Sequence, residues 1–490
     1  MINTVYELIT DVMAKQYPDR VAFRYVAADG KTVVEKTYAQ YVQDIRRAVT
    51  YFKENIPDIK GKRVGIMSRN CYEYGVNSFG AILAGAVVVT INQKKTWPEL
   101  EYELGLAEPS LIVNDGIDYG CRPDIEAAYG DKLRPMDAFK DSAPAELVDC
   151  VGHDDLMVLM FTSGTTGRSK GVMLSEKNYF TACQMYIDGL KSVLDHEERL
   201  VPQYLDQTFS HFTLVPMFHL AGFICYFVYG IQGWTLNLCC DARDLRRDMS
   251  LMHSDAMSTP PVLVEMICNE VKRGHADRLN GLWNLSCSSA ILDPAILSDL
   301  VKNGFYINQC YSMTELAGYG LLNVTQEGDH LRALGKPDGF CEVKVDETGE
   351  ICVRGGCVML GYYKDPKATA ETIDKDGWLH TGDLARVDEE GYYYMTGRKK
   401  NLIILDSGEN VSPEELEKLL GKCDAIKECI VKEMGKKIGT VVCCEDDKQQ
   451  QVKAFVTELN RTLPMYKRIS VVECSAEPLP RNALGKLLRR

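Results

Sequence analysis

The chain runs to 490 residues, 46% hydrophobic and 26% charged, enough apolar material for a large core and more than one folding unit. Its formal net charge of −13 excludes the basic footprint that duplex or single-stranded nucleic acid needs. Small anions are not excluded, because a nest of backbone N–H groups with a few Lys or Arg holds phosphate against an acidic background.

The first segment, TVYELITDVMAKQY, carries Val5, Leu8, Ile9 and Val12 at helical spacing. VAFRYV and TVVEKTY read as strands around the turn Asp29-Gly30, and RVGIMS as a short apolar strand. YGVNSFGAILAGAVVVTIN predicts a helix through Leu83, a break at Gly85 and a β-branched strand over 87–91; SLIVND is a further strand. The alternation predicts an α/β fold, with a parallel sheet wrapped by helices. Next, LMVLMFT and GVMLS read as apolar strands bracketing a polar loop. Residues 219–238, HLAGFICYFVYGIQGWTLNL, approach bilayer length. Gln232, Asn237, three Gly and the lack of flanking basic residues favour instead a buried helix running into a strand, with no transmembrane segment. In DPAILSDLVKNG, Asp293 suits an N-cap, Pro294 the first turn and Gly304 the stop. SPEELEKLLGK repeats the pattern, with Ser412 and Glu415 as a capping box around Pro413. Between these helices, residues 335–397 are dense in Gly, Tyr and β-branched residues, a β-rich subdomain. Beyond the basic turn at 398–400, helix and strand alternate on a small scale.

Eighteen Cys are scattered, none as C-x-x-C, with vicinal pairs at Cys239-Cys240 and Cys443-Cys444. The opening MINTVYELIT lacks the basic and apolar regions of a secretory signal. Reduced thiols in a cytoplasmic protein, each a small buried hydrophobe, are the expected state.

The stretch MFTSGTTGRSKGVML packs three Gly, five Ser or Thr and one Lys between apolar runs. It does not fit the G-x-x-x-x-G-K-[ST] nucleotide loop: the second Gly would fall at Ser169 and the last hydroxyl at Gly171. Gly, hydroxyls and a Lys nevertheless suit a loop whose N–H groups turn toward one anion. A polar connector is the alternative, and tight bracketing by apolar strands argues against it.

YSMTELAG, GEICVRG, GYYKDPKATAETIDKDGWLHTGDLARVDEEGYYYMTGRKKNLIILDSGENVSPEELE and LPRNALGKLLRR follow in that order. Together with the loop they resemble the adenylate-forming superfamily of acyl-CoA synthetases, aryl-CoA ligases, peptide-synthetase adenylation domains and beetle luciferase, from near residue 36 to the end of the chain. The resemblance implies a large N-terminal domain over 1–398, a hinge at 399–400 and a small, mobile α+β C-terminal domain over 401–490. It implies ATP, Mg²⁺ and CoA, or a carrier-protein phosphopantetheine, as cofactors. Thr162, Ser163, Gly164, Thr165, Thr166, Gly167 and Lys170 then match the loop that holds the β- and γ-phosphates. Glu315 matches the Mg²⁺ ligand and Thr314 the α-phosphate contact; a hard oxygen suits Mg²⁺. Tyr311 matches the residue stacking on adenine, flanked in the nucleotide site by Gln309, Cys310 and Ser312, with Ser288, Ser289 and Ala290 alongside. Asp383 and Arg398 match the ribose contacts, Lys400 the hinge, and Gly408 the loop that enters for the thiol step. Lys486 matches the Lys that bridges the attacking carboxylate and the α-phosphate. His219 matches the aromatic position between the acid pocket and the thiol tunnel.

Departures from the family pattern sit at Ser169, where Pro is usual, at Ser312, where Gly is usual, and at Ser288 and Ser289, where the family commonly has Gly-Gly. The resemblance implies two half-reactions: a carboxylic acid and ATP give an acyl-adenylate and pyrophosphate, and a thiol then gives a thioester and AMP. FHLAG lacks the Asp that amino-acid-activating members use for the α-ammonium, so a fatty or aryl acid is expected, with residues 218–234 lining its pocket. A stand-alone adenylation enzyme loading a carrier protein is the alternative. Retention of Lys170, Glu315, Asp383 and Lys486 together argues against a non-catalytic relative.

Overall fold

Short β-branched runs between helices with one apolar stripe have a single economical solution: strands stacked in parallel, covered by helices on both faces. The computed structural model, described over residues 2–162, 168–194, 209–288, 292–326, 328–337, 339–404, 410–435, 437–481 and 487, realises it as an α/β fold. The chain divides into two units, Met1–Val343 with Val353–Leu379, and Lys344–Cys352 with His380–Arg490.

The first unit holds two large sheets. One has eight strands in the order Gly318–Asn323, Tyr306–Met313, Asn284–Ser288, Ala256–Thr259, Ser210–Thr213, Thr235–Leu238, Val21–Val26 and Val33–Thr37. Its interior pairs are parallel and its two outermost pairs antiparallel. The other has seven, in the order Gly361–Tyr362, Lys170–Leu174, Val158–Thr162, Val87–Thr90, Arg63–Met67, Leu111–Asn114 and Leu133–Pro135. Here the pairs formed by Lys170–Leu174 are antiparallel and the rest parallel.

The expected punctuation is present. Gly30 turns the first hairpin at φ 68° and Gly85 breaks helix from strand at φ 95°. Asp293 accepts a hydrogen bond from the Ala295 N–H at 2.8 Å, capping helix Pro294–Lys302. The N-terminal segment buries Val5, Leu8, Ile9 and Val12 as its spacing predicts, but it winds as a short α-helix, Val5–Glu7, followed by a π-helix, Leu8–Gln16. Residues 219–238 form helix Leu220–Gln232 and strand Thr235–Leu238, and no described helix is long and apolar enough to cross a membrane. All eighteen Cys are free thiols.

The second unit contains most of a four-stranded sheet, Cys341–Val345, Glu350–Gly355, Leu379–Val387 and Tyr393–Arg398, whose first strands cross the division between the units. Strands Glu428–Glu433, Ile438–Cys443 and Val471–Ser475 form a second sheet. Leu416 and Leu420 of helix Pro413–Leu420 and Val456 of helix Gln449–Thr462 share a core with Val431 and Ile438 of this sheet. The turn at 398–400 lies inside this unit. Only half of the expected capping box forms. Ser412 accepts from the Glu415 N–H, while the Glu415 carboxylate is drawn to Lys467 at 2.7 Å.

One buried carboxylate ties the N-terminal segment to the first unit's core. Glu176, 1% exposed, accepts the Val5 N–H at 2.8 Å through Oε1, and its Oε2 has no hydrogen-bond partner among the described residues. Burial pushes its carboxyl up to about 7, against the pull of the Val5 N–H. The folded state therefore holds a proton that the unfolded chain sheds near pH 4.5. Stability from this group is complete below that value and is lost as pH rises to about 7, by about 3 kcal/mol. Glu176→Gln keeps an acceptor for Val5 without the charge. Its stability advantage over wild type in urea unfolding should grow between pH 5 and pH 8; a constant difference would contradict this account.

Candidate active site

The Gly-rich loop springs from a hairpin. Thr162 and Lys170 are register partners across strands Val158–Thr162 and Lys170–Leu174, and the Thr162 hydroxyl reaches the Lys170 carbonyl at 3.5 Å. The two ends of the Gly-rich stretch are thus fixed opposite one another on adjacent strands of one sheet. Ser163, Gly164, Thr165, Thr166, Gly167, Ser289, Ala290, Gly408 and Lys486 lie outside the described residues.

Lys170 is met by a residue that sequence reading did not assign. Its ammonium stands 4.5 Å from the ring centroid of Tyr362, a cation–π contact. The Tyr362 hydroxyl donates to Glu315 Oε1 at 3.0 Å. One phenol therefore joins the loop cation to the expected metal-binding carboxylate. Backbone pairing sets this up: Gly361 and Tyr362 pair with Met173 and Val172 of the loop's second strand. The Tyr362 N–H also bonds Thr369 Oγ1 at 2.9 Å, and Gly361 adopts φ 135°, where an added Cβ would press on the Thr369 side chain. Glu315 sits with Thr314 in a 3₁₀ turn that ends on Ala317 at φ 52°, and its carbonyl accepts from the Met359 N–H at 2.9 Å. Burial, then the Glu315 charge, raises the Tyr362 phenol well above its ordinary range, so it remains a donor. The signal was present in GYYKD, but nothing local says which Tyr faces inward; only the strand pairing does.

Tyr311, 9% exposed, lies near the end of strand Tyr306–Met313. The partner strand bulges here: Tyr311 opposes Leu321 and Ser312 opposes Tyr319, leaving Gly320 as the extra residue. A Cβ on Gly320 would lie 3.1 Å from Leu316 Cδ1 and in ordinary contact with the Tyr311 ring at 3.4 Å, so the Leu316 side chain would have to give way. Gln309 is committed to the scaffold, donating to the Leu331 carbonyl at 2.8 Å and accepting from the Leu292 N–H at 3.3 Å. Cys310 is buried, its thiol 3.6 Å from the Ser286 hydroxyl and pushed up to about 12 by burial. Ser288 pairs with Cys310 across the sheet, and Ser312 is half-buried.

His219 is exposed at the N-cap of helix Leu220–Gln232, its Nδ1 accepting from the Ala221 N–H at 3.3 Å. That bond assigns the proton of the neutral ring to Nε2. Much of the helix behind it is spent on the core. Phe223 and Phe227 are fully buried, and Phe227 stacks on Tyr179 at 4.8 Å. These two side chains of the 218–234 stretch, expected to line an acid pocket, pack against other aromatics instead, because one helix cannot give the same face to both.

In the second unit the two expected ribose contacts meet. Asp383 and Arg398 are cross-strand partners, and Arg398 Nε lies 2.9 Å from Asp383 Oδ1. The Asp383 side chain is 9% exposed, against 41% for Arg398, so the carboxylate is fixed and the guanidinium reaches solvent. The Asp383 N–H bonds Thr381 Oγ1 at 3.1 Å. Lys400 lies exposed in the 3₁₀ turn Lys399–Asn401. Lys399, unassigned from sequence, bonds Glu350 Oε2 at 2.7 Å.

A family profile described as AMP-binding enzyme matches residues 11–363. A feruloyl-CoA synthase of Amycolatopsis sp. is 30% identical over 88% of this chain and 88% of its own length. A long-chain-fatty-acid–CoA ligase of Escherichia coli O157:H7 is 27% identical over 93% and 89%. Among solved structures, the o-succinylbenzoate coenzyme A synthetase of Bacillus subtilis in complex with ATP and magnesium ion superposes with a TM-score of 0.79, at 24% identity over 99% of this chain and 98% of that one.

Tyr362→Phe keeps the ring under Lys170 and removes the donor to Glu315. It should cost about 1–3 kcal/mol of stability in urea unfolding, as for a buried hydrogen bond to a charged acceptor. An unchanged unfolding midpoint would mean the phenol contributes nothing to holding Glu315.

Proposed function

The chain belongs to the AMP-binding enzyme family, and on that premise we propose that it is an AMP-forming acid–thiol ligase. A carboxylate attacks the α-phosphorus of ATP, giving an acyl-adenylate and pyrophosphate. A thiol then attacks the acyl carbon, giving a thioester and AMP. The carrying observation is Tyr362, which joins Lys170 and Glu315.

In this reading Thr162, Lys170 and the loop between them hold the departing β- and γ-phosphates. Tyr362 keeps the ammonium and the Glu315 carboxylate in fixed positions before nucleotide arrives, so less order must be imposed at the moment of reaction. Glu315, a hard oxygen ligand anchored by one phenol bond, suits Mg²⁺, which when bound neutralises phosphate charge. Thr314 contacts the α-phosphate. Tyr311 supplies the flat face for adenine. Asp383 accepts from both ribose hydroxyls while Arg398 holds its carboxylate in orientation. Lys486 stabilises negative charge as the acid's oxygen meets phosphorus. Lys400 serves as hinge and Gly408 belongs to the loop used in thiol attack, with His219 between acid and thiol. The side chains of Gln309 and Cys310 support this site by shaping the strand around Tyr311.

The acid is a fatty or aryl carboxylate, as the names of the two relatives and the missing Asp in FHLAG suggest. CoA is the preferred thiol for the same reason. The free thiols fit a reducing compartment such as the cytoplasm.

Pyrophosphate exchange across a panel of aryl, fatty and amino acids tests the reaction. Exchange with an aryl or fatty acid, followed by acyl-CoA formation, is expected; exchange with amino acids alone would overturn the substrate class. Asp383→Ala should raise the KM for ATP by about 10-fold or more while the acid's KM changes little, as expected when a hydrogen-bonded charge is lost. An unchanged value removes Asp383 from the ribose site. Lys486→Ala should reduce exchange by about 100-fold or more, yet spare thioester formation from supplied acyl-adenylate. Near-wild-type exchange would deny its role.

A further inference from the structure

The motif GEICVRG contributes no group to the proposed reaction, yet it anchors a cluster of unlike ligands in the second unit. Asp346 opens the turn before strand Glu350–Gly355. Its Oδ1 accepts from the Thr348 N–H at 2.8 Å, the Thr348 hydroxyl at 2.7 Å and the Glu350 N–H at 2.9 Å. These bonds fix the carboxylate, and Oδ2 accepts none among the described residues. Cys352 is fully buried, and its Sγ lies 3.5 Å from Nδ1 of His380, which stands on the neighbouring strand. One ligand atom each from Asp346, Cys352 and His380 lies within 4.8 Å of the others. Glu350 Oε2 is 3.4 Å from the same His380 nitrogen; that carboxylate is held by Lys399 through Oε2 and by the Gly382 N–H through Oε1, each at 2.7 Å.

The sulfur–nitrogen separation, within reach of a thiol–imidazole hydrogen bond, also matches the spacing of two ligands on one metal ion. A tetrahedral zinc ion with bonds of about 2.3 Å to sulfur and about 2.0 Å to nitrogen separates the two ligand atoms by about 3.5 Å. We propose that Asp346, Cys352 and His380 form a site for a borderline-soft divalent cation of the zinc type, with Glu350 as the adjoining outer carboxylate. Thiolate, imidazole and carboxylate together select such an ion over Mg²⁺ or Ca²⁺, which prefer all-oxygen shells. The site is therefore chemically distinct from the oxygen ligand at Glu315. His380 is a third exposed, which gives an ion a way in. Three protein ligands leave one position for water. A bound ion would tie the turn at Asp346 to the strand that carries Asp383, three residues beyond His380.

The site stands independently of the ligase reading, and its test does not use activity. Cobalt(II) chloride is titrated into the full-length, untagged chain, stripped with chelator and kept reduced with a phosphine. One equivalent should bind with a thiolate-to-cobalt charge-transfer band in the near ultraviolet, and one equivalent of zinc chloride should displace it. Cys352→Ser should abolish the band. His380→Gln and Asp346→Asn, at partly exposed positions, keep the test open if the buried Ser variant fails to fold. Each should weaken cobalt binding by about 10-fold or more, with the melting profile of the metal-free chain unchanged. A band of full strength in Cys352→Ser, wild-type affinity in both other variants, or no saturable binding to the wild type would overturn the proposal. Displacement by magnesium chloride as readily as by zinc would overturn it too.

Discussion

Strand Lys170–Leu174 is hydrogen bonded along both edges, and the arrangement of the first unit's chemistry depends on that double pairing. On one side it returns antiparallel against Val158–Thr162, which brings the two ends of the Gly-rich loop opposite one another on adjacent strands. On the other it accepts the two-residue strand Gly361–Tyr362, which aims a phenol at Lys170 and Glu315. Residues that are distant in sequence become neighbours through main-chain bonds alone. Such a framework is stiff because every buried N–H and C=O in it needs its partner.

Three charged groups, Lys170 and Glu315 in the first unit and Asp383 in the second, already have partners within their own unit. Lys170 rests on an aromatic face, Glu315 takes a phenol's proton donor, and Asp383 takes a guanidinium. The first two partners are neutral, so they orient a charge without cancelling it. A cation over a ring is held by about 0.5–2 kcal/mol, weak enough to be redirected toward an anion. Arg398 differs, since it neutralises Asp383; its exposure moderates the pairing through solvent screening.

Much of this was legible in the sequence. Period, caps and glycine breaks marked the helix Pro294–Lys302, the hairpin at Gly30 and the break at Gly85, because those signals are local. The family profile over residues 11–363 agrees with the family that the motifs resemble. Less legible were features set by pairing across the chain. Asp383 and Arg398 were each assigned to ribose, but their mutual contact follows from strand register, which no single motif encodes. Tyr362 was one Tyr among several. Gln309 looked available for nucleotide, whereas its amide is consumed by two backbone groups. The capping box at Ser412 half-formed because Lys467 competes for Glu415 from another segment. The π winding of Leu8–Gln16 also left no mark, since a hydrophobic stripe does not distinguish the two helices.

The bulge at Gly320 gives the strand opposite Tyr311 a parity. Faces alternate residue by residue along a strand, and the extra glycine resets that alternation between Tyr319 and Leu321. Beyond it, Leu321 is buried and Asn323 spends its amide on the carbonyls of His330 and Ala333. Losing one residue here would invert the count for both at once, whereas exchanging a side chain leaves the count intact. Length, more than composition, is therefore the structural constraint at this point.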